Sequence, residues 1–494
     1  MMTFEEYRSL DATAMATGVM AGEIDPVELL ECAYRRYLQV NPQLNAIVTS
    51  MFTNAWRYTA KHQPRGKLAG VPMVLKDLLG HFPGVPTSGG SRAFQYVMQR
   101  TPSTLVDRLS QQGAVFIGKS NTPEFGLLAT TENDAFGATR NPWDTQRTAG
   151  GSSGGTAAAV AAGIVPIGTA GDGGGSIRIP ASCCGLFGFK PGRGVVPSGP
   201  EFAEVWDGAV SEHVLTRTVR DSALVLDVIA GNDPVSHVFS GNSKNGFLKK
   251  MAEPPRKLSI GFSSDSLLGG RVDSCCKDAV LQAAQLLESL GHNVEEARPP
   301  VDGDDIVCAY TDIYFAHVTA DVQRIAAIYG ERVAGQMVEP LSYLISRVGQ
   351  RFSAGDFVNS RVRWVRLQQV MNQYHERYDI WLSPVLADVP YLLGELRASR
   401  FEQQVARWIC RTGAHRLVPR DILYHTSADQ LRKVPFTQLA NLTGQPAMSV
   451  PLTWSKDGLP IGVQCVGRRG QDALLLQLAY QLEQANPWFD RVPV

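Results

Sequence analysis

The sequence has no long apolar run and no excess of charge of either sign. None of its hydrophobic stretches approaches the ~20 consecutive residues that a membrane-spanning helix needs. Its first six residues include acids where a secretory signal needs basic residues and an apolar stretch. The 47 Lys and Arg residues balance the 47 Asp and Glu residues, so no overall positive field would hold a nucleic acid. We therefore expect a cytoplasmic protein with no membrane or nucleic-acid partner.

The eight cysteines also lack the spacing of a metal site or a redox motif. They include two adjacent pairs, Cys183-Cys184 and Cys275-Cys276, but no C-x-x-C and no cysteine spaced against histidine in a zinc pattern. Neither a disulfide framework nor a metal site is indicated. We expect reduced, buried thiols and no metal or other cofactor.

Short apolar runs alternate with helical stretches along most of the chain. The first 60 residues have helical patterns, with Asp25-Pro26 as a typical helix start. From residue 71 onward the alternation predicts an α/β fold with an internal sheet. Strands are predicted at 71–75, 114–117, 164–167, 258–262, 378–384, 448–452 and 461–467, helices at 156–162, 274–290 and 304–375, and a surface connection at 231–257.

One motif resembles a phosphate-binding loop but lacks its physical basis. Residues 113–120 match the pattern G-x-x-x-x-G-K-[ST]. That pattern works through a loop of free amides that leads into a helix. Here the four middle residues are Ala, Val, Phe and Ile, which are typical of a buried strand. A nucleotide triphosphate site is therefore not expected.

Glycine and serine are concentrated in residues 148–155 and 171–180. A flexible linker would not contain the well-patterned helix and strand that separate these clusters. Because glycine loses the most entropy on ordering, its density in packed chain suggests that the backbone approaches another group closely. A turn of three glycines followed by Ser176 offers consecutive N–H groups beside a hydroxyl, the two parts of an acyl-transfer site. A phosphate nest is the alternative, supported by Arg178 and Lys190.

A serine nucleophile needs a base, and the sequence offers more than one candidate. The nine histidines lie in no stretch with catalytic character. Lys76 ends the apolar run 71–75, and burial there would favour its neutral form. Strand ends are also where sites in α/β proteins lie. The alternative is that Lys76 forms an ion pair with a nearby acid, and Asp77 follows it directly.

The chain resembles the amidase signature family, most clearly over residues 148–180. Ser152 and Ser176 are 24 positions apart, the family spacing between its bridging serine and its nucleophile, and Lys76 matches the catalytic lysine. The segments 170–172 and 148–150 depart from the common family pattern in a way that resembles the branch of 6-aminohexanoate-cyclic-dimer hydrolases. Further matching blocks, which extend the resemblance over nearly the whole chain, are 118–125, 131–133, 141–144, 379–384 and 436–447.

The resemblance implies one large α/β domain in place of the two or three that a length of 494 residues suggests. Its core would be a mixed, twisted sheet of about eleven strands flanked by helices. Within a domain spanning residues 1–494, the expected parts are N-terminal helices at 1–70, a catalytic core at 71–230 with the signature at 148–180, and a helical cap or substrate region at 304–430.

The resemblance also implies how the site works. Ser176 would attack a carboxamide, and Ser152, preceded by a cis peptide bond, would relay the proton to neutral Lys76, giving an acyl-enzyme. The other implied roles are oxyanion donation by the amides of Gly173, Gly174, Gly175 and Ser176, an acyl pocket lined by Leu127 and Leu128, structural hydrogen bonding by Ser153, and loop anchoring by Arg178 through an ion pair.

The expected substrate is a small-molecule amide, with cyclic or linear aminohexanoate-like amides among the candidates. The alternative function is a glutamine-hydrolysing amidotransferase subunit that delivers ammonia to a partner protein, because such subunits belong to the same family. A homodimer is one candidate assembly.

Overall fold

The computed structural model describes residues 2–238 and 246–493, and the strands in these ranges form one large sheet and one small one. The large sheet has eleven strands in the order β1-β3-β2-β6-β8-β7-β12-β13-β11-β9-β10, while β4 and β5 pair separately. The strands are β1 (Ile47–Ser50), β2 (Pro72–Lys76), β3 (Val115–Ser120), β4 (Glu132–Asn133), β5 (Gly137–Ala138), β6 (Ile167–Asp172), β7 (Phe187–Lys190), β8 (Ser211–Thr216), β9 (Ser259–Phe262), β10 (Asn293–Glu296), β11 (Ile380–Pro384), β12 (Ala447–Trp454) and β13 (Pro460–Gly467).

Helices flank this mixed sheet, which confirms the predicted α/β architecture. They are α1 (Phe4–Ser9), α2 (Ala12–Ala21), α3 (Pro26–Leu44), α4 (Phe52–Lys61), α5 (Thr104–Gln111), α6 (Gly154–Ala161), α7 (Arg178–Cys184), α8 (Val219–Ile229), α9 (Phe247–Met251), α10 (Ser274–Ser289), α11 (Gly303–Tyr329), α12 (Glu331–Met337), α13 (Pro340–Gly349), α14 (Ala354–Arg377), α15 (Arg400–Thr412), α16 (Arg420–Leu431), α17 (Gln438–Thr443) and α18 (Asp472–Ala485). Among the helices within residues 2–238 and 246–493, none combines the length and the hydropathy that a membrane span requires.

The centre of the sheet determines where the functional side chains meet. Strand β2 lies between β3 and β6, is parallel to both, and is buried along its whole length. Strand β8 runs antiparallel to β6, with Gly171 opposite Glu212 and Asp172 opposite Ser211. The same end of the sheet therefore holds the carboxyl ends of β2 and β6 and the start of β8.

The structure differs from the helices predicted for residues 1–60 and from the strand predicted at 164–167. The 1–60 segment is not wholly helical, because Ile47–Ser50 forms β1 at the edge of the sheet and pairs with β3. The strand predicted at 164–167 instead spans Ile167–Asp172. Strand β6 is rich in small residues because the sheet packs tightly there, and a Cβ on Gly168 would lie 2.5 Å from Val74 Cγ2. Hydrophobic patterning does not detect a strand of that composition.

Residues 113–120 form no phosphate loop. Most of this segment is β3, buried at every position, as its apolar residues predict. The predicted surface connection at 231–257 falls partly outside the described residues. Its later part contains α9, whose Phe247 and Met251 are buried against α8 and α18.

Candidate active site

Lys76 is the last residue of β2, and its side-chain amine lies beside Ser152. The Lys76 Nζ atom is 2.7 Å from Ser152 Oγ and 3.3 Å from the carbonyl oxygen of Gly171. Burial lowers the pKa of Lys76 to about 7, although Asp172 and Glu212 act in the opposite direction. A lysine in this state is partly neutral near pH 7 and can accept a proton.

The acid that follows Lys76 in sequence does not pair with it. The Asp77 carboxylate accepts hydrogen bonds from the backbone N–H of Ser88, at 3.0 Å, and from the Ser88 hydroxyl. The positive charge that acts on Asp77 is Lys119, whose Nζ donates to Thr87 Oγ1 at 3.0 Å. The alternative in which Lys76 forms an ion pair with its neighbouring acid is therefore not what the structure shows.

Ser152 lies in a backbone segment that packs directly against another piece of main chain. The Gly151–Ser152 peptide bond is cis, as the family resemblance implies. A Cβ on Gly151 would lie 2.6 Å from the backbone nitrogen of Thr130, and the N–H of Gly154 donates to Thr131 Oγ1 at 3.0 Å. The first glycine cluster thus allows a close approach between backbones, and this packing holds Ser152 in front of Lys76.

Ser176 lies on the loop between β6 and α7, and the carboxylate of Asp172 holds the backbone on both sides of it. Asp172 accepts hydrogen bonds from the N–H of Gly175 at 2.7 Å and from the N–H of Ile177 at 3.2 Å. The Ser176 side chain is left at the wall of a cavity that Ser152 and Lys76 also line. The three predicted catalytic residues are therefore brought together.

Arg178 anchors this loop, and its ion-pair partner is Asp172. The fully buried guanidinium donates to Asp172 through Nε and Nη2, both at 2.9 Å. It also donates to Asn441 Oδ1 at 2.7 Å and to Gln464 Oε1 at 2.6 Å. Although burial alone would raise the pKa of Asp172, the adjacent Arg178 charge holds it well below its usual range. The ion pair predicted for Arg178 is confirmed.

Replacing Arg178 with methionine should destabilise the fold by about 3–5 kcal/mol, because it leaves the buried Asp172 charge unpaired. The free energy of unfolding, measured by denaturant titration, tests this value. Arg377→Met is a suitable control, since Arg377 and Glu295 form an exposed ion pair at 2.7 Å. The control should remain near wild type. Equal effects of the two substitutions would contradict the assigned importance of the buried pair.

Of the four backbone N–H groups predicted to stabilise an oxyanion, the structure leaves three without a protein acceptor among the residues it describes. The N–H of Gly175 already donates to Asp172 Oδ1 at 2.7 Å, so it is not free to stabilise a charge in the cavity. Within residues 2–238 and 246–493, no protein acceptor takes the N–H of Gly173, Gly174 or Ser176. Gly173, Gly174 and Ser176 also line the cavity. Their amides are therefore the ones free to stabilise a negative charge there.

The cavity in front of these residues has a volume of about 410 Å³. Helix α11 covers one side, where a Cβ on Gly174 would lie 2.1 Å from the hydroxyl of Tyr310. The walls combine apolar and charged side chains. Those beyond the residues already described include Leu78, Leu79, Phe94, Val97, Gln99, Phe125, Phe202, Val205, Trp206, Val210 and Ile328, with His81, Glu201, Glu204, His317, Asp321 and Arg324 as ionisable groups.

The segment predicted to line the acyl pocket contributes different residues from those expected. Phe125 and Gly126 line the cavity. Leu127 instead packs against an apolar cluster that includes residues of α11, and its carbonyl accepts a hydrogen bond from the Tyr314 hydroxyl at 3.1 Å. The carbonyl oxygen of Leu128 faces Gly151. The backbone turns at Phe125, whose φ is 52°. The side chains that face the cavity can therefore not be inferred from their spacing along this segment.

Two histidines that sequence reasoning set aside lie on the cavity wall. His81 Nε2 is 3.3 Å from Glu201 Oε2, and His317 Nε2 is 3.1 Å from Asp207 Oδ2. Neither has a local motif, and only the approach of distant segments brings them to the site. In the part of the chain that the structure describes, no group of three or more His, Cys, Asp or Glu residues is arranged to hold a metal ion.

Known proteins are similar to this chain in both sequence and fold. The Amidase family model matches residues 28–476. A 6-aminohexanoate-cyclic-dimer hydrolase of Pseudomonas sp. (strain NK87) is 34% identical over 493 residues, covering 98% of this chain and 96% of the relative. An acylamidase of Rhodococcus erythropolis is 30% identical over 499 residues, covering 100% of this chain and 98% of the relative.

The solved structures agree with the sequence relatives. A structure of 6-aminohexanoate cyclic dimer hydrolase complexed with substrate superposes with a TM-score of 0.87 at 32% identity, covering 98% of each chain. This chain belongs to the amidase signature family, and it is a hydrolase that acts on carbon–nitrogen bonds.

Proposed function

We propose that this protein hydrolyses a carboxamide through an acyl-enzyme, with Ser176 as nucleophile, Ser152 as proton relay and Lys76 as base. The observation that carries the proposal is the 2.7 Å contact between Lys76 Nζ and Ser152 Oγ at the wall of a cavity that Ser176 also lines. Burial keeps Lys76 partly neutral, so it can act as a base at neutral pH.

In the acylation step, Ser176 Oγ attacks the amide carbonyl carbon. Its proton passes to Ser152 Oγ as the Ser152 proton moves to Lys76 Nζ. The tetrahedral intermediate then collapses, the carbon–nitrogen bond breaks, and Ser152 returns a proton to the leaving amine as Lys76 gives one back. Water resolves the acyl-enzyme by the same relay, which releases the acid and restores all three residues.

The negative charge on the substrate oxygen needs donors that are already in place. The free amides of Gly173, Gly174 and Ser176 supply them, and the Asp172–Arg178 pair keeps their loop from moving. Preorganised donors of this kind are worth about a hundredfold or more each in rate. Bulk at Gly174 is excluded because Tyr310 lies against it.

We propose aminohexanoate-like amides, linear or cyclic, as the substrate class. The volume of about 410 Å³ suits a small molecule. Apolar walls such as Phe125 and Trp206 suit a methylene chain, and ionisable groups such as His81 and Arg324 suit its polar ends. The relatives named for 6-aminohexanoate cyclic dimer hydrolysis favour the same class.

A substrate panel tests both the proposed reaction, amide hydrolysis, and the proposed substrate class. We would follow amine and ammonia release from the linear and cyclic dimers of 6-aminohexanoate, from hexanamide, from a nitroanilide and from L-glutamine, with the Ser176→Ala variant as the blank. We expect the highest kcat/KM for the aminohexanoate dimers. A preference for the nitroanilide would overturn the substrate class alone. Activity on glutamine alone would support the amidotransferase alternative, and no activity on any amide would contradict the proposed reaction.

A further inference from the structure

A buried carboxyl group that the proposed reaction does not use lies close to Lys76. Glu212 is on β8, directly opposite Gly171 of β6, and is 7% exposed. None of the residues that the structure describes donates a hydrogen bond to its carboxyl oxygens. A carboxyl group buried without a donor is costly in free energy. Its position therefore needs a compensating charge.

Gly171 is a neighbour of both Glu212 and Lys76. Its carbonyl oxygen accepts a hydrogen bond from Lys76 Nζ at 3.3 Å. A Cβ on Gly171 would lie 3.8 Å from Glu212 Cγ, the nearest side-chain neighbour of that point. The absence of a side chain at position 171 leaves the carboxyl group unshielded on this side. Lys76 is the charged group that acts on it.

We propose that Glu212 is a positioning residue for Lys76. The Glu212 carboxylate compensates the positive charge that Lys76 gains when it takes the proton of Ser152. This inference rests on the proposed function, since it assigns Lys76 as the base. The proton count is unchanged. One proton moves from Ser152 to Lys76 in acylation and returns when the amine leaves, and Glu212 interacts with the charged form without breaking a bond.

The charges around this pair give the sign of the effect. Lys76 is faced by Asp172 from β6 and by Glu212 from β8, and both raise its pKa against the larger effect of burial. Burial raises the pKa of Glu212 to about 7, and Lys76 lowers it. The next residue on β8, His213, points to the opposite face and pairs with Ser222. Removing the Glu212 charge should therefore let Lys76 lose its proton at lower pH.

The test is the pH profile of kcat/KM for Glu212→Gln. Its acid limb should move to lower pH by about one unit, because Lys76 loses an opposite charge. Glu212→Asp, which keeps a carboxyl group on a shorter side chain, should lie between Glu212→Gln and wild type. The matched control is Glu483→Gln on α18. Burial likewise raises the pKa of Glu483 to about 7, but its carboxylate accepts from the N–H of Val219, in a different part of the fold. The control should leave the acid limb where it is.

A second measurement does not depend on activity. The 13C resonance of Lys76 Cε, assigned by comparison with Lys76→Arg in protein carrying labelled lysine, reports its titration directly. We expect its midpoint to fall in Glu212→Gln and, by less, in Glu212→Asp. Equal midpoints in wild type and both folded variants would overturn the role of Glu212. A shifted midpoint in a protein that hydrolyses no amide would support the role of Glu212 and contradict only the proposed reaction.

Discussion

Replacing Ser176 with alanine should lower kcat/KM for the best amide by a factor of about 10⁴ or more, because it removes the atom that forms the acyl-enzyme. The loss should appear in kcat and not in KM, since the cavity walls and the free amides of Gly173 and Gly174 remain. The Ser176 side chain lies at the wall of the cavity and not in the packed core, so the variant should fold normally. Stopped assays of amine release measure the effect.

Covalent labelling separates the nucleophile from its neighbours. A serine-directed phosphonate should attach to Ser176 in wild type, and peptide mass spectrometry locates it. Ser153→Ala is a matched control, because Ser153 Oγ contacts the backbone of Gly171 at 3.4 and 3.5 Å in the same block. This control should still be labelled at Ser176. Label on Ser152 or Ser153 in wild type would contradict the assignment.

Replacing Lys76 with methionine should lower kcat/KM by a factor of about 10³ near pH 8, because the relay then has no base. In wild type, the rate should fall as pH drops through about 7, the pKa to which burial lowers Lys76, since protonated Lys76 cannot accept a proton. The methionine variant should lose this acid limb. Initial rates between about pH 5 and 9, with folding checked by circular dichroism, measure both effects.

Two further variants separate the base from a merely buried cation. Lys76→Arg keeps the positive charge but cannot lose its proton near neutral pH, so it should be as inactive as Lys76→Met. Lys190→Met removes another buried lysine whose pKa burial lowers to about 7 and whose Nζ donates to the carbonyl of Pro191. It should keep the acid limb at its wild-type position. Near wild-type rates for Lys76→Met at neutral pH would remove Lys76 as the base.

The parts of the site that depend on local chain geometry could be predicted from the local sequence. The second glycine cluster and Ser176 lie within one turn, and their roles could be inferred from residue type and order. The alternatives for Lys76 could not be decided in this way, because its proton affinity depends on burial between β3 and β6 and on the direction of Asp77. The resemblance to a family selected the base, and the structure provides the environment that makes it suitable.

The contacts that sequence reasoning missed come from far along the chain. Arg178 bonds to Asn441 and Gln464, which are 263 and 286 residues away, and no local pattern indicates those partners. His81 and His317 reach the cavity for the same reason. Phe125 and Gly126 line the cavity in the segment where the sequence predicts Leu127 and Leu128, and the backbone turn at Phe125 is not visible in the sequence.

The sequence by itself determined the α/β class from the alternation of apolar and helical stretches, and it indicated Ser176 from a turn of glycines. Its resemblance to a family indicated the other two side chains proposed for the reaction, Ser152 and Lys76, because their spacing matches that family. Only the tertiary structure decided that Lys76 contacts Ser152 and not Asp77, and that Gly175 donates to Asp172. It also decided that the charge of Glu212 acts on the lysine. Burial and the register of β6 against β8 arise when distant segments pack together, and a linear sequence does not display either.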